Sequence, residues 1–346
     1  MRINSVVLRT PSRLVSNDDI LNYIREYNVN CERDDVEAYC RKIDRLFRRA
    51  GSETRYVRDK DTGERAFDLL LDAARSAIGR AGLAAKDIDL TIYCGIGRGF
   101  LEPANAVFLV GALGIECDAF DITEACMSWA RALQVAESLL LTKSYAKILI
   151  VNAEFSVFEN GFPDIFKMRS DAEIAYTFPA LTVGEAATAT VVTSSPHAWK
   201  FRFRTKAQFA SLCYLPLPGF DDFCMVDSRV GANGPHQLVA YGSELARTAS
   251  REMTSFVQAS YPNIADIDVW LPHSSSESDL KLMASKLNIG DRLYDGIFRK
   301  FGNLASASIP AAIVEATKKG VLKRGQRVVF CPASAGMVFG LIEGTY

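Results

Sequence analysis

FDITEACMSWARALQVAESLL, residues 120–140, runs from a short apolar stretch straight into an amphipathic segment of helical period, with Cys126 at the junction. A strand feeding a helix there sets a thiol beside unpaired backbone N–H groups and the positive end of a helix dipole. Both favour thiolate over thiol, and the same amides can stabilise an oxyanion. Free cysteine is more often a small buried filler, and Cys94 and Cys331, inside strand-like apolar runs, read that way. Cys126 is the expected nucleophile.

Outward from this junction, short apolar runs rich in β-branched residues predict strands at 88–96, 146–155, 187–194, 267–272 and 326–333. Helical patterns at 66–82, 127–141, 243–261, 276–287 and 308–320 lie between them. The alternation predicts an α/β fold with partly parallel sheets. The two halves echo each other. A helix, a turn, Asp-Ile-Asp, a strand and a loop occur in that order in AKDIDLTIYCGIG and again in IADIDVWLPHSSS. We therefore expect an N-terminal half at 1–195 and a C-terminal half at 196–346, with 156–183 as a surface or capping insertion.

His273 follows the strand 267–272 at its C-terminal end, where α/β proteins gather their sites. Asn303 lies in FGNLASAS, a glycine turn just ahead of a helix. Taken singly, these are a core imidazole and a turn former or helix cap. Taken with Cys126, they make a thiol, an imidazole and a carboxamide, a set suited to acyl transfer.

Composition narrows the classes further. The 346 residues are 49% hydrophobic, and 40 Lys and Arg against 41 Asp and Glu leave a net charge of −1. That balance gives no push toward nucleic acid or an anionic membrane. The start, MRINSVVLRTPSRL, lacks a signal-peptide core, and no run of about 18 apolar residues offers a membrane span. Eight scattered cysteines without a CxxC pair point to reduced thiols in a cytoplasm, and three histidines leave little for a metal site.

The stretch 267–346, with WLPH, GNLASASIPAAI, GQRVVF and SAGMVFG, resembles the closing region of β-ketoacyl-acyl-carrier-protein synthase III. The likeness extends through the DITEAC segment to RRAGSETRYV and so covers nearly the whole chain. It implies a thiolase-like layered αβαβα fold of two similar halves with central mixed sheets, a homodimer and an acyl-cysteine intermediate. Cys126 matches the family nucleophile, and His273 and Asn303 match the pair that binds the second thioester carbonyl and stabilises its enolate. Backbone amides at Cys126, Ala335 and Gly336 match the oxyanion hole. Acyl-coenzyme A or acyl carrier protein thioesters are the implied substrates, with no metal and no redox cofactor.

Departures from the family pattern qualify this. After the histidine, HQAN and an arginine become HSSSES, with Ser276 and Ser278 in place of the asparagine and the arginine. A tryptophan expected before RRAG is replaced near Arg45, although Arg49 matches the family arginine, and the glycine triplet is reduced to Ser334-Ala335-Gly336. In GIGRGFLEPANAVFL (95–109), Glu102 stands where the typical enzyme has phenylalanine. This resembles the OleA-type branch, which joins two acyl groups without decarboxylation and uses a glutamate there as base, in the partner subunit's site. A carboxylate in an apolar pocket has the raised pKa that such a base needs.

A Claisen-type condensing enzyme of lipid or specialised-metabolite assembly is the leading reading. An acyltransferase to a hydroxyl or amine is the alternative, and a non-catalytic partner subunit fits least, because cysteine, histidine and asparagine are all retained. The basic run 41–55 reads as a solvated helix face or as a dock for an acidic acyl carrier protein. Acyl-pocket depth is expected to depend on residues such as Trp129, Phe158 and Phe162.

Overall fold

The Asp-Ile-Asp echo at 87–89 and 266–268 marks equivalent places in two sheets of matching topology. The computed structural model describes residues 1–155, 164–226, 228–231 and 233–346. The chain opens with β1 (Arg2–Arg9) and a ribbon of β2 (Arg13–Ser16) and β3 (Thr54–Val57), which brackets α1 (Asn17–Tyr27) and α2 (Arg33–Ala50). Next come α3 (Ala66–Arg80), β4 (Leu90–Cys94), α4 (Asn105–Leu113), β5 (Asp118–Ile122), α5 (Ser128–Leu141) and β6 (Lys147–Glu154). After α6 (Asp171–Thr177), β7 (Ala186–Thr193) completes a sheet of order β1-β7-β6-β4-β5.

The second half contains β8 (Lys200–Thr205), the pair β9 (Cys213–Tyr214) and β10 (Val239–Ala240), α7 (Gly242–Ser260), β11 (Val269–Pro272) and α8 (Glu277–Leu287). It ends with α9 (Phe298–Phe301), α10 (Ser308–Lys318), β12 (Arg327–Cys331), β13 (Ala333–Ser334) and β14 (Val338–Thr345). In the first sheet β4 is parallel to β5 and β6, β6 is antiparallel to β7, and β7 to β1. In the second, β11 is parallel to β12, β12 antiparallel to β14, and β14 to β8, with a parallel bridge from Trp270 to Leu293 in the place of β5.

The echo has a structural cause. Asp89 accepts the N–H groups of Ala146 and Lys147 at 2.9 Å, and Asp268 accepts that of Arg327 at 2.7 Å. Each aspartate ties the start of one strand to its parallel neighbour.

Alternation along the strands builds the layers. Ile148 and Ile150 of β6, Leu90 and Ile92 of β4, and Val328 and Phe330 of β12 face a shared core filled by α5 and α10. Leu149, Val151 and Tyr93 face α3 and α4 on one outside, while Val329, Cys331 and Trp270 face α7 and α8 on the other. The result is the αβαβα stack. Strands buried on both faces give the continuous apolar runs that made them legible. The edge strand β8, KFRFRT, alternates Phe with Lys and Arg and has no such run, which is why it was not anticipated.

Of the expected insertion, residues 156–163, including Phe158 and Phe162, lie outside the described residues. The rest packs Phe166, Ile174 and Leu181 on Ile24, Ile43 and Phe47 of α1 and α2 as a fourth core. Trp129 belongs to the middle layer, fully buried, its indole N–H donating to Thr190 Oγ1 at 3.1 Å.

Candidate active site

Cys126 sits in the turn between β5 and α5. Ala125 has φ 46°, a left-handed conformation uncommon for a residue with a Cβ. The Met127 N–H reaches the Glu124 carbonyl at 2.9 Å and the Ser128 N–H the Ala125 carbonyl at 3.1 Å. Ser128 Oγ locks the turn, accepting the Glu124 N–H at 2.8 Å and donating to the Ala125 carbonyl at 2.7 Å. The junction expected from sequence is there.

Its electrostatics differ from the expectation. Packed protein surrounds the thiol although the residue keeps partial solvent access, and this burial pushes the Cys126 pKa well up. The Cys213 and Glu154 side chains push the same way, and the backbone N–H of Cys126 opposes them only weakly. Desolvation thus opposes the helix start and favours the neutral thiol.

His273 follows β11, and its N–H donates to the Cys331 carbonyl at the end of β12 at 3.4 Å. Burial lowers its pKa to about 4, so the imidazole is neutral near pH 7. Nδ1 is buried without a partner among the described residues. Asn303 is held through its backbone, donating to the Thr182 carbonyl at 2.9 Å and accepting the Gly184 N–H at 3.1 Å. Its Oδ1 accepts the Ala305 N–H at 2.9 Å, which orients the amide so that the NH2 end is the one able to donate outward. Gly302 makes this approach possible: with φ 70°, a Cβ there would overlap the Thr182 carbonyl.

Buried contacts connect these turns. Ser334 Oγ donates to the Glu124 carbonyl at 3.1 Å, joining the loop after β12 to the nucleophile turn. Half-buried Ala335 and Gly336, the latter at φ 99°, continue that loop. Glu154, at the end of β6, acts electrostatically on Cys126 and accepts the Ser306 hydroxyl, three residues past Asn303. The Cys126 turn is thus tied to the loop after β12, and the Asn303 turn to the end of β6.

Other expected residues lie apart. Glu102 is exposed beside Leu101, itself 81% exposed, so its own chain does not build the apolar pocket expected around that carboxylate. Ser276 caps α8, accepting the Asp279 N–H at 3.4 Å, and Arg49 is exposed near the end of α2. Glu154 and Ser306 were not anticipated. The available signal was Asn152 and Glu154 continuing the inward face of Ile148 and Ile150, polar residues where apolar ones belong. Among the described residues, no group of three or more His, Cys, Asp or Glu side chains is arranged to hold a metal ion.

The family model described as 3-oxoacyl-[acyl-carrier-protein (ACP)] synthase III matches residues 120–207, and that of its C-terminal part matches 257–342, about half of the chain together. The chain belongs to the synthase III-like branch of the thiolase superfamily. Its relatives include the β-ketoacyl-[acyl-carrier-protein] synthase III of Rickettsia canadensis, 27% identical over 338 residues, covering 95% of this chain and 94% of that one. The synthase III of Symbiobacterium thermophilum is 26% identical over 286 residues, covering 81% and 83%. Among solved structures, Xanthomonas campestris OleA with bound lauric acid and lauroyl-CoA superposes with a TM-score of 0.81 at 20% identity over 99% of this chain and 98% of that one. Synthase III of Aquifex aeolicus gives 0.78 at 21% identity over 100% and 99%. These likenesses establish the fold of this synthase III-like chain.

Proposed function

We propose that Cys126 takes an acyl group from a thioester and that the chain then condenses it with a second acyl thioester in lipid or specialised-metabolite assembly. The observation that supports this is the Cys126 turn bonded through Ser334 to the loop after β12, with Glu154 acting on the sulfur and bonded to Ser306 of the Asn303 turn. In the first step the thiol sulfur bonds the acyl carbon, the carrier leaves as its thiol, and neutral His273 is available for the proton. In the second, a carbanion from the other thioester attacks the acyl carbon and the Cys126 sulfur leaves, yielding a β-ketoacyl thioester. Asn303 and His273 donate to the enolate oxygen, and the amides of Cys126, Ala335 and Gly336 to the acyl-enzyme carbonyl.

The carbanion arises either by loss of carbon dioxide from a malonyl-type donor or by proton removal. Glu102 is the base for the second route, acting in the site of a partner subunit. Its exposed loop, with Phe100 stacked on Phe108 at 4.5 Å and Leu101 and Val107 open, fits a homodimer interface. Exposed Arg41, Arg45 and Arg49 are four residues apart on α2 and form one stripe, a fitting dock for an acidic acyl carrier protein. Transfer to a hydroxyl or amine is the second reading, favoured by Ser276, whose side chain caps α8 where the family offers an amide.

The test is to load the protein with straight-chain acyl-CoAs, locate the adduct by mass spectrometry, and add acyl-CoA, malonyl-CoA, an alcohol or an amine. Discharge by a thioester with β-keto product supports condensation, and discharge by the alcohol or amine alone replaces it with the second reading. Glu102→Gln is expected to slow condensation of unactivated acyl-CoA by about a hundredfold while leaving Cys126 acylation intact. If only malonyl-CoA reacts and that variant is unaffected, Glu102 is not the base.

A further inference from the structure

Glu154 is a charged side chain only 3% exposed, placed where an apolar strand ends, and no step above uses it. Its carboxylate accepts the N–H groups of Ile96 at 3.3 Å and Gly97 at 3.0 Å, and also the Ser306 hydroxyl. Ser306 in turn accepts Asn152 Nδ2 at 2.7 Å, and Asn152 Oδ1 accepts the Thr188 hydroxyl at 2.8 Å. The line of bonds runs from β7 through β6 into two loops.

One loop, after β4, leads through residues 95–99 to Glu102. The other is the turn of Asn303. We propose that Glu154 is a positioning residue that, with Ser306, clamps the 95–97 loop to the Asn303 turn so that both present their side chains in register for the second half-reaction. The inference rests on the condensing reading above.

The chemistry explains the choice of residue. Both loops offer only donors to this point, two N–H groups and one O–H, and an ionised carboxylate is an acceptor at both oxygens. An amide of the same length turns an N–H toward a donor, and an apolar residue leaves all three donors unpaired in the interior. Burial raises the Glu154 pKa, and the three donors oppose that rise. The loop has no slack at this point. A Cβ at Gly97 would overlap the Ala153 carbonyl, and the Tyr93 hydroxyl holds the Gly97 carbonyl from the other side. A shift of Glu154 therefore moves the loop. The same carboxylate also acts on Cys126, Cys94 and Tyr93, raising all three.

The decisive variant is Ser306→Ala, which deletes the far end of the clamp without touching residues 95–99; Ser306→Thr keeps the hydroxyl, and Glu154→Gln keeps length without charge. Backbone amide exchange over 95–99, which needs no substrate, is expected to quicken about tenfold in Ser306→Ala and in Glu154→Gln and to stay near wild type in Ser306→Thr. With straight-chain acyl-CoAs, the ratio of condensation to Cys126 acylation is expected to fall about tenfold in Ser306→Ala and to stay near wild type in Ser306→Thr, acylation itself staying within about twofold in both. Unchanged exchange at 95–99 in a folded Ser306→Ala protein overturns the clamp, and altered exchange with an unchanged ratio overturns its role in catalysis. Should the wild-type protein form no acyl-Cys126, the condensing reading falls, and with it the catalytic role, while exchange still decides whether the two loops are coupled.

Discussion

The turn at residues 123–128 of the first half and that at 303–308 of the second share a backbone and part company at one side chain. Ala125 and Ala305 both have φ 46°, Met127 and Ala307 both donate to the carbonyl three residues back at 2.9 Å, and a helix starts at Ser128 and at Ser308. In this correspondence Cys126 is matched by Ser306. The serine hydroxyl is committed to Glu154 and Asn152, whereas Cys126 is a residue with partial solvent access. A strained turn ahead of a helix is thus a device for presenting a side chain, and the neighbours decide whether that side chain reacts or supports.

Making the two turns alike is the strongest way to break the comparison. Cys126→Ser puts a hydroxyl in both, and acylation by acyl-CoA, followed by intact mass, is expected to drop about a thousandfold or more with the fold retained. A variant that still loads at the wild-type rate would remove Cys126 from the chemistry. Asn303→Ala tests the division of labour from the other side: condensation is expected to fall about a hundredfold, while loading of Cys126 changes little.

His273 adds a pH signature to the second half. Its folded pKa of about 4 lies below the ordinary 6.5, so below pH 6.5 the unfolded chain binds a proton that the native one does not. Stability contributed by this group is full above pH 6.5 and is lost as pH falls toward 4, a change of order 3 kcal/mol at most. Denaturant titrations at several pH values are expected to show this loss in the wild type and a flatter profile in His273→Asn. The smallest contrast concerns the paired aspartates. Asp89 accepts two N–H groups and Asp268 one, so at about 1 kcal/mol per bond Asp89→Ala should lower stability more than Asp268→Ala does.

Much of this was legible before any coordinates. Strands covered on both faces carry runs such as ILIV in β6, and the repeated Asp-Ile-Asp registers because both copies perform one hydrogen-bonding task. Cys126, His273 and Asn303 could be singled out because each sits at an element end that local pattern reveals. Glu154 and Ser306 could not be paired that way, since 152 positions separate them and only packing brings them together. The desolvation of Cys126 is hidden for a related reason. A helix start is visible in sequence, but the desolvation that opposes it depends on everything packed around the sulfur.

The amino-acid order by itself determined the α/β alternation and the repeated Asp-Ile-Asp strand starts, and it marked Cys126, His273 and Asn303 as candidates, because periodicity and turn chemistry act over a few neighbouring residues. Tertiary structure alone decided how deeply the Cys126 thiol is desolvated, that Ser306 carries a supporting hydroxyl, and that Glu102 is exposed on its own chain. Those outcomes depend on burial and on contacts between distant segments, and no local pattern encodes them.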